Sequence, residues 1–216
     1  MCGRYALTNT GDLVDRYAIK LEQQIRDNFN VAPTQDMPVV TAEGFEVMKW
    51  GLIPSWSKEF KASFTTFNAR SETVDEKPMF RSAFKKHRCI VPATGYYEWL
   101  KTDANKIPYF IQREDRKFMS FAGIYEIWFD AENNPFKSYS IITTGSNEAT
   151  GFIHDRMPVI LDEAEEKYWL DANTPVAELE ILLDPYEGEI VTHPVSNEVG
   201  LVKNNYAELL KPLNSQ

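Results

Sequence analysis

The sequence predicts an α+β fold: a β-rich, curved or barrel-like sheet with peripheral helices. Three observations carry that prediction. Short segments rich in β-branched and aromatic residues crowd the middle of the chain, turn formers separate them, and only four short stretches show apolar residues at helical spacing.

The helices come first in that reading. Asp12 to Leu21 places Leu13, Val14, Tyr17, Ala18 and Leu21 on one face, with Thr10 as the cap. Pro78 opens a second helix through Arg88, with Phe80 and Phe84 inward and Arg81 and Lys85 on an exposed side. Asp162 followed by Glu165 is a capped start to a helix through Leu170. Thr174-Pro175 begins another, which carries Val176, Leu179 and Leu182. The expected strands are Pro38–Thr41, Phe45–Trp50, Cys89–Pro92, Tyr109–Gln112, Phe118–Trp128, Ser138–Thr144, Val159–Leu161 and Ile190–His193, with turns at Ala42-Glu43-Gly44 and Glu132-Asn133-Asn134. No repeat, low-complexity tract or Ser/Gly linker interrupts the chain, so residues 1–216 read as one domain.

Composition removes several classes. Of 216 residues, 43% are hydrophobic and 25% charged, which excludes disordered, collagen-like and coiled-coil chains. No uncharged stretch approaches the ~20 residues of a membrane-spanning helix, and no apolar signal core follows Met1. Two cysteines suit a reducing compartment rather than a disulfide scaffold, so a cytoplasmic protein without membrane contact is expected. A net charge of −9 argues against a basic nucleic-acid coat protein. Yet Lys49 to Arg88 holds nine Lys or Arg against four Asp or Glu, a local +5, so the rest of the chain carries −14. Such a segment reads either as a solvated surface or as a local anion site.

Motifs narrow the chemistry further. The ten glycines form no G-x-G, and Gly145 to Gly151 is one residue too long for a phosphate loop and lacks the following Gly-Lys. Cys2, Cys89, His87, His154 and His193 make no pair at metal-ligand spacing, so neither a metal nor a bound cofactor is expected. Attention falls on Cys2, behind the initiator Met1. If Met1 is removed, Cys2 becomes a 1,2-aminothiol, with an α-amine titrating near ~7.7–8 and a thiol near ~8.5. That group condenses with aldehydes to a thiazolidine, or acts as an N-terminal nucleophile with its own amine as base. Taken alone, Cys2 reads more simply as a small buried residue behind a retained Met1.

Six segments in order shift that reading: Met1-Cys-Gly-Arg4-Tyr5, Asn30-Val-Ala-Pro33, Trp50-Gly-Leu-Ile-Pro54-Ser-Trp56, Phe67-Asn68-Ala-Arg70-Ser-Glu72, Val91-Pro-Ala-Thr-Gly-Tyr-Tyr-Glu98-Trp99 and Ile153-His154-Asp-Arg156-Met-Pro158. Together they closely resemble the SOS-response-associated peptidase (SRAP) family, from residue 2 to about Leu161. Tyr96 and Ser146-Asn147 are mild departures from the family pattern. The resemblance implies an SRAP-like fold and a sensor of abasic sites in single-stranded DNA. Such a sensor would use an exposed Cys2 to crosslink covalently to the ring-opened sugar aldehyde after autocatalytic release of Met1. It also implies Cys2 as nucleophile with Asn68, Glu98 and His154 around it. In those roles Glu98, raised in pKa by burial near Trp99, takes a proton from the amine, His154 supplies one to the ring oxygen or departing hydroxyl, and Asn68 donates to the developing oxyanion or holds the Cys2 amine without titrating.

DNA contact is expected from the same segments. Arg4, Arg70, Arg81 and Arg156 are candidate phosphate clamps, Pro33 belongs to the candidate DNA-binding set, and Trp99 and Trp56 are candidate base-stacking residues. Trp128 and Trp169 are expected in the core, and Cys89 is expected to be an inert core thiol. No long apolar stripe demands a dimer, so a monomer is expected. Three other readings compete. A class II glutamine amidotransferase also begins Met-Cys-Gly but needs an Asn-Gly motif, which is missing here. A thiol peptidase acting in trans would use Cys2, His154 and Asn68. A noncatalytic DNA-binding module would survive loss of Cys2.

Overall fold

Strands form at Tyr5–Leu7 (β1), Asn28–Val31 (β2), Asp36–Thr41 (β3), Gly44–Trp50 (β4), Asn68–Arg70 (β5), Arg88–Ala93 (β6) and Gly95–Lys101 (β7). Six more follow at Lys106–Arg113 (β8), Met119–Phe129 (β9), Pro135–Gly145 (β10), Arg156–Pro158 (β11), Ile160–Leu161 (β12) and Ile190–Pro194 (β13). The structure, a computed structural model, describes residues 2–20, 24–59, 66–115 and 117–213. In one sheet β4, β3, β6, β9 and β10 pair in sequence, and β10 pairs back onto β4, closing a five-stranded barrel. Closure leaves these strands few free edges. Short β5, β11 and β12 fill the pairing that β9 and β10 still offer. The second sheet runs β13-β8-β7-β1-β2 and is antiparallel throughout.

The largest apolar cluster joins the two sheets. Tyr5 of β1 meets Trp50 of the barrel edge-on at 5.1 Å and Phe121 at 6.2 Å, Trp50 stacks on Tyr139, and the Tyr5 and Tyr139 hydroxyls share a 2.9 Å hydrogen bond. A second cluster lies beneath the helices, where Phe80, Phe84, Trp169 and Leu179 cover Ile90, Ala122, Ile124 and Ile142. A third occupies the other face of the second sheet, around Ala6, Tyr97, Phe110, Val195 and Leu209.

Among the described residues four short α-helices cover the strands: Leu13–Tyr17 (α1), Arg81–Lys86 (α2), Glu163–Leu170 (α3) and Val176–Ile181 (α4). The Asp162–Glu165 capping box forms, and α4 starts directly after Pro175. The first helix is shorter than its apolar spacing predicts. Ala18 ends it in a left-handed conformation (φ 52°), and Leu21 lies outside the described residues. Thr10 does not cap it; its hydroxyl donates to the Ile25 carbonyl and to Asp27, both at 2.8 Å. The second helix stops at Lys86 because Arg88 already belongs to β6. Buried Arg88 ties two helix ends together, donating to the Phe84 and Lys85 carbonyls of α2 and to the Trp169 and Asp171 carbonyls at the end of α3. A cation there satisfies carbonyls that helix ends leave unpaired. Trp169 and Cys89 are buried as expected, whereas Trp128 is only partly buried, its indole donating to the Ser57 carbonyl at 2.8 Å. Among the described residues no helix is long and apolar enough to cross a membrane.

Candidate active site

The start of the chain is placed by β7. Tyr5 pairs with Tyr96 and Ala6 with Gly95, and Tyr97 N–H donates to the Arg4 carbonyl at 2.9 Å. Cys2 lies just ahead of β1, close enough to Glu98 for the carboxylate charge to act on its thiol. Cys2 is fully buried, not exposed as the resemblance implied, because it belongs to the apolar cluster that joins the sheets, with Tyr5 and Tyr96 among its members. Burial pushes its thiol well above its ordinary value, and the neighbouring Glu98 charge adds to that rise. Burial also raises the Glu98 carboxyl from 4.5 to about 7, against the lowering effect of the amino-terminal positive charge. Its apolar wall is not the Trp99 ring. Side chains alternate along a strand, so Glu98 shares a face with Tyr96 and Leu100, while Trp99 packs with Tyr97 on the opposite face. Tyr109, directly across from Glu98 on β8, supplies another side of that wall. The sequence pattern did not single out Tyr109; its only signal was its place in an expected strand.

His154 stands on the turn between β10 and β11. That turn is tight: Thr150, Gly151, Ile153 and His154 N–H groups all donate within it, and buried Ile153 anchors it in the cluster that holds Cys2. His154 Nδ1 accepts the Arg156 N–H at 3.0 Å and lies 2.8 Å from the Asp155 carboxylate. These contacts suit two states of one nitrogen, since a neutral ring accepts from Arg156 and a protonated ring donates to Asp155. Burial lowers the His154 pKa, the amino-terminal charge adds to this, and Asp155 opposes it. Asn68 opens β5, which pairs with β10 at Ile141. Its Nδ2 donates weakly to the Ile141 carbonyl at 3.5 Å, and its buried Oδ1 has no hydrogen-bond partner among the described residues. Cys2 and Glu98 are thus close enough to interact, His154 stands on a turn anchored in the same cluster, and Asn68 pairs with Ile141 of β10, a member of that cluster.

Comparison with known proteins fits this arrangement. The family model for SOS response associated peptidase (SRAP) matches residues 1–202. The chain belongs to the SRAP family. It is 40% identical to abasic site processing protein YoqW of Bacillus subtilis (strain 168), over 98% of this chain and 99% of that protein. It is 36% identical to abasic site processing protein HMCES of Gallus gallus, over 89% of this chain and 68% of that protein. A crystal structure of a protein from Bacteroides thetaiotaomicron superimposes with a TM-score of 0.92 at 32% identity, covering 98% of this chain and all of the other.

The remaining expected residues scatter around the SRAP site. Arg70 is exposed at the end of β5, two residues after Asn68. Arg156 is engaged: its guanidinium holds Glu72 and donates to the Thr143 carbonyl. Arg4 faces the third cluster, donating to Asn30 Oδ1 at 3.3 Å and to the Gly200 carbonyl at 3.4 Å. Pro33 sits half-buried in the β2–β3 turn, next to Thr34, whose N–H donates to the Trp50 carbonyl. Arg81 is exposed on α2, which packs on the second cluster, and no described contact brings it to Cys2. Trp56 is 67% exposed. The local positive charge is accordingly dispersed, with Arg88 buried in the helix ends and Lys49 paired with Asp36 at 3.0 Å. Among the described residues no group of three or more His, Cys, Asp or Glu is placed to hold a metal ion.

Proposed function

We propose that this chain processes abasic sites in DNA by capturing the lesion aldehyde covalently at Cys2. The observation that carries the reading is a buried carboxyl, Glu98, held near neutrality beside the N-terminal cysteine of an SRAP chain. A base with a pKa of about 7 is half ionised at the working pH, where proton transfer is most effective. The role of Met1 falls on a residue outside the described ones; its removal gives Cys2 the free α-amine the reaction needs.

In the proposed sequence Glu98 takes a proton from the Cys2 ammonium, and the amine adds to the C1′ aldehyde carbon to give a carbinolamine. His154 donates a proton to the hydroxyl, which leaves as water, and takes back the nitrogen proton of the resulting iminium to give an imine. The thiol sulfur then adds to the imine carbon while its proton passes to the nitrogen, closing a thiazolidine with one water released overall. Asn68 Oδ1, buried and without a partner among the described residues, would accept a hydrogen bond from the amine or the carbinolamine hydroxyl. Exposed Arg70 suits a phosphate, while Arg4 and Arg156 would have to exchange present partners for one. A single strand is the favoured substrate because no duplex has to be opened.

A thiol peptidase acting in trans fits less well. Such enzymes lower the thiol pKa to obtain a thiolate, whereas burial and Glu98 push that of Cys2 up. Intact mass of the protein, alone and with single-stranded DNA bearing one abasic site, tests the proposal. The expected result is loss of Met1 and a heat-stable adduct that requires both Cys2 and the aldehyde. An adduct that persists in Cys2→Ala, or with borohydride-reduced DNA, would overturn it.

A further inference from the structure

Most large apolar side chains left exposed, such as Phe129 and Phe136, are scattered ones of the kind every protein surface carries. Phe152 differs in where it stands and in how it is held. It is 56% exposed and lies two residues before His154, on the turn that buried Ile153 anchors in the cluster that also holds Cys2. Its ring meets Tyr109 at 5.7 Å and 88°, a perpendicular contact that fixes the ring and leaves much of its surface open to solvent. Tyr109 in turn stands directly across β7 and β8 from Glu98. Phe152, Tyr109 and Glu98 therefore form a continuous line from solvent to the reacting groups.

We infer that Phe152 is a stacking platform for the nucleobase next to the abasic sugar, and so orients the lesion toward Cys2. The inference rests on the abasic-site reading. It adds the recognised neighbour: an unpaired base, held by its π-face and without sequence preference. An abasic site offers the protein no base of its own, so the nearest flat apolar group on the strand is a flanking base. A ring fixed at the rim of the site by Tyr109 meets it with little loss of side-chain freedom. Stacking of one base on an aromatic side chain corresponds to about a fivefold to hundredfold gain in affinity.

The test uses the full-length protein, with Phe152→Ala and Phe152→Trp, and single-stranded oligonucleotides carrying one lesion. A tetrahydrofuran analogue at the lesion, which has no aldehyde, reports binding alone, and a true abasic site reports capture. One flanking position at a time carries 2-aminopurine, adenine or a second tetrahydrofuran. In the wild-type complex 2-aminopurine on one flank should be quenched. Phe152→Ala should restore its fluorescence and weaken binding at least fivefold, Phe152→Trp should recover both, and a baseless flank should make all three proteins equal. Equal quenching and affinity in wild type and Phe152→Ala, while wild type still captures the aldehyde, would overturn the inference and leave the abasic-site reading standing. Wild type that binds and quenches but forms no adduct would overturn the capture reading alone. A change in oligomeric state in Phe152→Ala by sedimentation would assign the ring to a second copy of the chain and also overturn the inference.

Discussion

Replacing Glu98 by Gln should stabilise the protein at neutral pH while removing its chemistry. Burial raises this carboxyl from 4.5 to about 7 because the ionised form loses its hydration among Tyr96, Leu100 and Tyr109. Between those two values the folded chain keeps a proton that the unfolded chain releases. Unfolding free energy therefore falls as pH rises through that window, with the contribution fully present below 4.5 and lost above 7. At 1.36 kcal/mol per pK unit the loss is about 3 kcal/mol. Glutamine resembles the neutral acid and does not titrate, so the variant escapes it.

Equilibrium urea unfolding followed by tryptophan fluorescence, in steps from pH 4.5 to 8, measures the difference. The two proteins should agree near pH 4.5 and diverge to about 3 kcal/mol in favour of Glu98→Gln at pH 8. Groups other than Glu98 titrate in both chains and largely cancel. Capture of an abasic site by the variant should slow by about a hundredfold or more, the ordinary contribution of a positioned base. Parallel stability curves would show that Glu98 is not desolvated in the folded chain, and the argument for it as the base would fall with them.

Arg88→Met leaves four helix-end carbonyls without their donor and should cost about 3 kcal/mol, read as a lowered thermal midpoint with capture intact below it. Gly95→Ala drives a Cβ to 2.4 Å from the Phe110 ring and 2.7 Å from the Ile111 carbonyl, so a destabilisation of about 1–3 kcal/mol is expected in chemical denaturation. Asp155→Asn removes the partner of protonated His154, so the pH dependence of capture should move to lower pH; an unmoved profile would detach Asp155 from His154.

The eight strands expected from β-branched and aromatic runs all form, six of them longer by one to three residues at an end, Phe118–Trp128 shifted by one residue and Val159–Leu161 starting one residue later. Five others, β1, β2, β5, β7 and β11, were not legible, and they carry Tyr5, Asn30, Asn68, Glu98 and Arg156 of the segments that marked the family. The reason is physical. Alternation of polar and apolar residues shows only where one face of a strand meets water, and β7 is covered on both, with Tyr96 in one cluster and Tyr97 in another. Strands β1, β5 and β11 have three residues each, too short for a period to show. Long strands built from packing were readable, whereas the short ones that position Cys2, Asn68 and Arg156 are set by their partners. The phosphate clamps fared differently, because charge in a sequence does not reveal that Arg156 holds Glu72 or that Arg88 holds two helix ends.

One cause, burial beside β7, raises both the Cys2 thiol and the Glu98 carboxyl, and in the proposed capture the pair of shifts favours one order of events. A thiol held protonated cannot begin the reaction as a thiolate, so the amine must attack first, and its proton must go to a group that is ionised near neutrality. In the proposed capture the wild-type rate should therefore rise with pH toward about 7, following Glu98, and fall at higher pH as His154 loses the proton it donates. With Glu98→Gln the residual rate should follow the amine itself, with its midpoint moved to about 7.7–8. Rapid-quench measurement of adduct formation between pH 5.5 and 9.5 distinguishes the two curves. A wild-type rate that keeps climbing through pH 9 would mean that the thiolate leads, and the buried environment of Cys2 would then have to open before the lesion is captured.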